Sequence, residues 1–425
     1  MNDGALAVIG LGSVGSMALW QAAALSDAAL SGGVVGFEAR TPAHGRSAVG
    51  GDSRLFRMTF REQHDLTPLL ESSLARWREL EAESGQEVLT QCGGLAIGDR
   101  RGGYVDAILR NVAETGAPHE LLDATALRAR YPQHEVGDGD AAVLDPRAGF
   151  LRTDRAVLSA VAAAESRGAE VLTSTPVDAL EEDAHGVRVV SGSSSWTFER
   201  VVVAAGGWSR HLLPASVADA VAPRRIFLTW FAAREPALYT PERFPIFIRI
   251  QDGLGMYGAP SLDGSTVKAT LDGRGGPTTD AGDLGRELTE AEIAESELTV
   301  RRFFPGLVPS IVRSDCYPDL YSTDRRPLIG TVPGRPRTHI ATGFSGAGFK
   351  TASGVGALIA RQALGHPVEP GLEASLRFAD PGRFVDAVAG SDRGRGSARR
   401  RSGPGRGGCR PSCSGTCANP GRPAR

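Results

Sequence analysis

Ala7-Val8-Ile9-Gly10-Leu11-Gly12-Ser13-Val14-Gly15 decides how the rest of this 425-residue chain is read. Three apolar residues make a short buried strand, and Gly10, Gly12 and Gly15 follow it at GxGxxG spacing. Each glycine has its own task in such a turn. The first lets the chain reverse, the second admits a pyrophosphate to the backbone, and the third lets helix and strand pack closely. The spacing predicts a helix from about Val14 to Leu25 whose free amides and positive dipole end point at that pyrophosphate. Val34-Val35-Gly36-Phe37 predicts a second strand, ending in Glu38, an acid placed to accept hydrogen bonds from a ribose. A lone GxGxxG also marks ordinary α/β turns. Here the strand before it, the helix after it and an acid roughly 20 residues on point to a bound dinucleotide.

Working outward, the length favours two joined domains. A net charge of −2 offers no general attraction to nucleic acid or anionic membrane. No apolar run reaches the roughly 18 to 20 residues of a membrane span, and the chain enters its first strand without a basic leader, so a cytoplasmic protein is expected. Of five cysteines, Cys92 and Cys316 lie in folded-looking sequence, whereas Cys409, Cys413 and Cys417 lie in a Gly-, Arg-, Ser- and Pro-rich tail. They make neither a secreted disulfide framework nor a zinc motif, so no metal is expected. The tail from about Ala389 has almost nothing apolar to bury and reads as disordered.

After Glu38, the glycine-rich segment Thr41 to Asp52 reads as a wrap around the cofactor. It leads to Arg54 and Arg57, three apart, which would share a face on a helical turn; solvated or ion-paired arginines are the other reading. Thr67 reads as the N-cap of a helix with Pro68 at its first position, and Leu70, Leu74, Trp77 and Leu80 as its core positions. Cys92 reads as a small buried group or, with no histidine near it in sequence, less readily as a nucleophile. A helix over Asp154 to Arg167, a hairpin over Arg188 to Phe198 and a buried strand at Val201-Val202-Val203 running into Gly206-Gly207-Trp208 return the chain to α/β character. Short β-rich runs at Ile226 to Phe231, Pro245 to Ile250, Met256 to Ala259 and Thr266 to Thr270 predict an antiparallel sheet. Within it, Lys268 interrupts an apolar strand, lying on a wet face or facing a pocket. A return to α/β is expected over Cys316 to Ile329. Finally, His339 to Lys350 runs as strand, triple-glycine turn and lysine into a helix expected over Ala352 to Leu364.

Taken together, Gly10-x-Gly12-x-x-Gly15, Gly51-Asp52-Ser53-Arg54-x-x-Arg57, Ala204-Ala205-Gly206-Gly207-Trp208, Cys316 and Gly343-Phe344-Ser345-Gly346-x-Gly348-Phe349-Lys350 resemble the monomeric sarcosine oxidase and N-methyl-L-tryptophan oxidase family. This is a group of FAD-dependent amine oxidases related to D-amino acid oxidase. The likeness spans roughly residues 5 to 378. It implies an α/β fold, with a Rossmann-like FAD-binding domain (1–85, 145–215 and 308–378) and a mostly antiparallel β-sheet substrate domain (86–144 and 216–307). It also implies FAD joined through a thioether to Cys316. Arg57 and Lys350 would clasp a substrate carboxylate, and Arg54 would lie at the pocket base. Lys268 would hold a positive charge where oxygen is reduced, Val177 would meet the adenine end, and Gly206, Gly346 and Gly348 would border the cofactor.

Three departures stand out. Gly50 occupies a position where the family often has histidine. Asp272 and Met256, beside Tyr257, replace pocket residues of other types. The segment after Cys316 is one residue longer than expected. The implied reaction is hydride transfer from the carbon beside a secondary amine to flavin, giving an imine, with oxygen then reduced to hydrogen peroxide. N-methyl or cyclic amino acids are the expected substrates, and a monomer is the expected state. The rivals are a dehydrogenase of the same fold with another electron acceptor, a flavoprotein acting on a carrier-bound amine or only binding a carboxylate, and an NAD-dependent dehydrogenase.

Overall fold

The glycine turn lies at the centre of the first of two large sheets. In the computed structural model, which describes residues 4–26, 33–59, 64–278 and 280–385, the wholly buried strand Gly4–Ile9 pairs in parallel with Val34–Phe37 on one side and with Ser194–Val203 on the other. Arg335–Thr342 adds to the parallel run beyond Ser194–Val203, so the glycine turns near both ends of the chain open from one sheet. Gly4–Ile9, Val34–Phe37 and the Val201-Val202-Val203 end of Ser194–Val203 are continuously apolar, as the centre of a sheet covered on both faces requires. The helix Ser13–Leu25 covers one face together with Thr153–Ser166 and Gly348–Ala363. The expected tail at 389–425 lies outside the described residues.

The second sheet has nine strands and is antiparallel, apart from the parallel pair Gly94–Asp99 with Ile246–Gln251. Its longest pairing joins Val221–Ala233 to Leu307–Ser322. This corrects the expected return to α/β at Cys316. The whole 16-residue strand joins the antiparallel sheet, because local composition marks a strand without saying which partner it will find. Strand alternation divides the side chains of this sheet into two sets. Phe227, Phe231, Met256, Ala269 and Cys316 enter one apolar core. Leu228, Trp230 and Tyr317, with Ile226 and Tyr257 packed against them, form the opposite face, which meets Gly50 and Gly51.

Two local readings change. Ser53–Phe56 is a strand in a small three-stranded sheet, paired with Gly149–Arg152, and not a helical turn; tertiary pairing overrides weak local propensity. Thr67 is the first helical residue of Thr67–Ser84, with Leu66 at the cap position. No described helix is long and apolar enough to cross a membrane.

Candidate active site

A cavity of about 780 Å³ runs from the glycine turn to Arg57 and Lys350, lined by Gly10 and Glu38 at one end and by these two residues and Tyr257 at the other. At the cofactor end the three glycines do separate work. Gly10 has φ +87°, in the left-handed region, and a Cβ there would stand 2.7 Å from Cα of Ala205. A Cβ on Gly15 would stand 1.7 Å from the carbonyl oxygen of Gly10, so only glycine lets helix and turn close. At Gly12 a Cβ would meet nothing nearer than Val49 at 3.9 Å, leaving the backbone open to the cavity. Gly12 is also the cap residue of Ser13–Leu25 and supplies no side-chain cap, so the first amides of that helix are left for a ligand.

Glu38 is buried, and its carboxylate accepts from the Leu11 amide and the Arg40 amide, each at 3.0 Å, with His44 Nε2 at 3.5 Å. Burial alone would raise its pKa, but His44 and the two amides outweigh it and the group is held below the usual carboxylate range. A carboxylate has about four acceptor positions, so capacity remains for a ribose hydroxyl. Val177, Gly206, Gly346 and Gly348 also line the cavity. This donor-rich glycine turn beside an ionised acid fits the dinucleotide part of FAD. Glu38→Gln would turn an amide NH2 toward a backbone donor. It is expected to weaken FAD binding by on the order of tenfold or more, at about 1 to 3 kcal/mol for the mismatched donor, read by flavin fluorescence quenching on titrating the apoprotein.

At the other end, Lys350 sits in the first turn of Gly348–Ala363 and is buried. Burial, with repulsion from Arg57, holds its pKa down to about 7 against the opposing charge of Asp319. The positive end of its own helix works in the same direction. Although Ser53–Phe56 is a strand, Arg54 and Arg57 both reach the cavity, because the strand ends before Arg57. Arg54 donates to the carbonyls of Ser53 at 2.8 Å and Ala48 at 2.7 Å and lies over the Tyr317 ring. It therefore braces the loop leading into the site. Burial lowers its pKa, offset by Tyr257, Tyr317, Asp319 and Asp52. Tyr257 and Asp272 line the roof, and burial pushes the Tyr257 phenol up, so it remains a donor.

The other expected site residues lie elsewhere. Lys268 faces a second cavity of about 350 Å³, shared with Asp52, Trp230 and Arg313. Its Nζ lies 2.5 Å from the Gly51 carbonyl and 2.8 Å from both the carbonyl and the hydroxyl of Ser53. Three oxygens match the three donors of an ammonium. Burial, Arg54 and Arg313 pull its pKa well below the ordinary lysine value, with Asp52 opposing. Met256 is a correction: it points into the core beneath the sheet, because its neighbour Tyr257 takes the cavity side. Cys316 is likewise fully buried in that core, with its thiol pushed up to about 11 by burial, and is not brought to the cavity. Cys92 is half-buried with its thiol also raised to about 11, the reverse of an activated nucleophile.

Asp319 is the cavity residue that sequence reading passed over. The signal was available: an acid inside the apolar and aromatic run Tyr317-Pro318-Asp319-Leu320-Tyr321 breaks a strand in the way Lys268 does. Tyr317 also explains Gly50. A Cβ at position 50 would stand 2.1 Å from the Tyr317 ring, so glycine there leaves room for that ring.

The model of the family described as FAD dependent oxidoreductase matches residues 5–362. Monomeric sarcosine oxidase of Streptomyces avermitilis is 30% identical over 387 residues, covering 90% of this chain and 98% of that protein. N-methyl-L-tryptophan oxidase of Yersinia pestis (strain Pestoides F) is 30% identical over 360 residues, covering 84% and 93%. Among solved structures, NikD, an unusual amino acid oxidase essential for nikkomycin biosynthesis, superposes with a TM-score of 0.76 at 20% identity, covering 89% of this chain and 97% of that one. L-proline dehydrogenase of P. horikoshii gives 0.75 at 20% identity, covering 91% and 99%. The fold is shared with those two, and the chain belongs to the FAD dependent oxidoreductase family.

Proposed function

We propose that this enzyme oxidises the carbon beside a secondary amine in an N-methyl or cyclic amino acid and passes the electrons to oxygen. The observation that carries this reading is that one cavity joins the glycine turn to Arg57 and Lys350. A planar guanidinium and an ammonium orient a carboxylate as well as bind it, and so aim the adjacent C–H bond. FAD, when bound, supplies the hydride acceptor. Gly10, Gly12, Gly15, Glu38 and Val177 would hold it, through non-covalent contacts alone. In this reading the first sheet carries the cofactor and the second roofs the substrate, with the strand Leu307–Ser322 bordering both. Lys268, behind the Gly51–Ser53 backbone, would give oxygen a positive charge to be reduced against, yielding hydrogen peroxide. The names of the two curated relatives support the amine class.

The test is anaerobic mixing of FAD-loaded protein with N-methyl and cyclic amino acids and their decarboxylated counterparts. At least one carboxylate-bearing amine is expected to bleach the flavin, and its decarboxylated counterpart to do so on the order of a hundredfold more slowly. Bleaching by none of the panel overturns the reading. Reoxidation by air with stoichiometric peroxide separates an oxidase from a dehydrogenase that reduces only dyes.

A further inference from the structure

The group in this cavity that the clamp and the cofactor cradle leave without a task is Asp319. Its carboxylate accepts from backbone amides, Leu320 at 2.8 Å and Gly346. With about four acceptor positions on a carboxylate, part of its capacity is left for a ligand in the cavity it lines. Arg54, whose charge acts on it, has two guanidinium nitrogens committed to the Ser53 and Ala48 carbonyls.

We infer that Asp319 takes the proton from the substrate's ammonium group, so that an amino acid arriving as a zwitterion is held beside Arg57 and Lys350 as the free amine. The inference rests on the amine-oxidation reading above and assigns that site its base. In the step an N–H bond breaks, leaving its electron pair on nitrogen, and an O–H bond forms on the Asp319 carboxylate. No electrons are exchanged, and the proton returns to water when the site empties. The chemistry needs such a group, because a hydride leaves the carbon beside nitrogen only when the nitrogen lone pair is available to form the imine.

The surrounding charges suit this role. Arg54 approaches from the strand Ser53–Phe56 and Lys350 from its helix, and Asp319 acts electrostatically on both. Arg57 adds positive charge from the end of that strand. Across the paired strand, Arg224 stands opposite Asp319 in register. Tyr257 from the roof and Tyr321 from the same strand feel its charge as neutral phenols. Burial raises Asp319 to about 6, opposed by the amides, Arg54 and Lys350. It is thus ionised near neutral pH yet a stronger base than an exposed aspartate. Asp272, the other carboxylate of the roof, is exposed and lacks that confinement.

The experiment uses FAD-loaded wild type, Asp319→Asn and Asp319→Glu, with L-proline as the amine probe and tetrahydro-2-furoate as its oxygen counterpart without an ionisable nitrogen. Anaerobic flavin reduction across pH is expected to rise through about pH 6 in wild type and then level. In Asp319→Asn that limb should shift to the much more alkaline pKa of the free amine, cutting the neutral-pH rate by on the order of a hundredfold or more. Tetrahydro-2-furoate should bind Asp319→Asn at least as tightly as wild type above pH 6, because a like charge is removed, and Asp319→Glu should restore an acid limb. An unchanged limb and neutral-pH rate in Asp319→Asn overturns the inference. So does parallel loss of both ligands, which marks a structural role. If wild type binds tetrahydro-2-furoate but neither L-proline nor any amine of the earlier panel reduces its flavin, the amine-oxidation reading falls and takes this base with it.

Discussion

Acid precipitation of the purified yellow protein is expected to give a colourless pellet and a yellow supernatant. The family resemblance implies a thioether through Cys316, but a thioether needs a thiolate at the edge of the ring system. Cys316 is 0% exposed, packs in the apolar core and does not itself line the cavity, although Phe227, opposite it in the strand pair, does. Its pKa, raised to about 11 with Arg225 only partly opposing burial, keeps it a thiol. Its neighbour Tyr317 takes the opposite face, packed with Leu228 and Trp230 under Arg54. In a strand, a shift of one residue sends every side chain to the opposite face. Cys316→Ala should therefore leave flavin content unchanged. Colour retained in the pellet, with flavin mass on the peptide containing Cys316, would refute this.

The second large effect is expected at the clamp. Arg57→Met removes the fork that fixes carboxylate orientation, and Lys350→Met removes the second charge. A hydrogen bond to a charged group is worth about 1.5 to 3 kcal/mol, so each change should lower kcat/KM by on the order of ten- to a hundredfold, and the double variant by on the order of a thousandfold or more. The loss should track the carboxylate: a decarboxylated amine should lose little further rate in either variant. Equal loss for both substrate types would remove the clamp assignment. The pH dependence follows from Lys350. Below about 7 its ammonium is present in the free protein and a carboxylate gains a charged partner. Above that the amine is neutral, and binding must first restore the proton. The Kd of a simple carboxylate should therefore rise toward tenfold per pH unit above about 7, until the higher pKa of the complex is reached. Asp319, ionising at about 6, adds repulsion of the same sign. In Lys350→Met the rise near pH 7 should disappear and only the Asp319 step remain; a pH-independent Kd in wild type would count against this account.

Much of this architecture was legible in the residues. Ala7 to Ile9, the three glycines, Ser13–Leu25 and Glu38 form a local unit whose geometry depends on neighbours in sequence. Turn, cap and helix dipole follow from residue type at close range. The second glycine turn and the buried Val201-Val202-Val203 strand were readable for the same reason, because continuous apolar runs bounded by glycine have few alternative packings. Arg54 and Arg57 reached the expected cavity although their local structure was misread. What they share is placement at the end of one short element, and both a strand end and a helical turn can supply it.

Which side of a sheet each residue faces could not be read in the same way. Met256 and Tyr257 are neighbours, as are Cys316 and Tyr317, and in each pair one lies in the core and the other on the opposite face. That choice depends on register against Thr266–Leu271 and Val221–Ala233, partners fixed by contacts far away in the chain. Lys268 shows the same dependence: its strand was recognisable, but the loop Gly51–Ser53 that separates it from the larger cavity comes from more than 200 residues earlier. Asp319 became a candidate base only when burial and the charges of Arg54 and Lys350 were assembled around it. The sequence by itself determined the cofactor cradle, because hydrogen-bond geometry and backbone freedom there are local properties. Tertiary structure alone decided which acids, cysteines and lysines meet the substrate, because burial, strand register and electrostatic environment exist only once distant segments have packed.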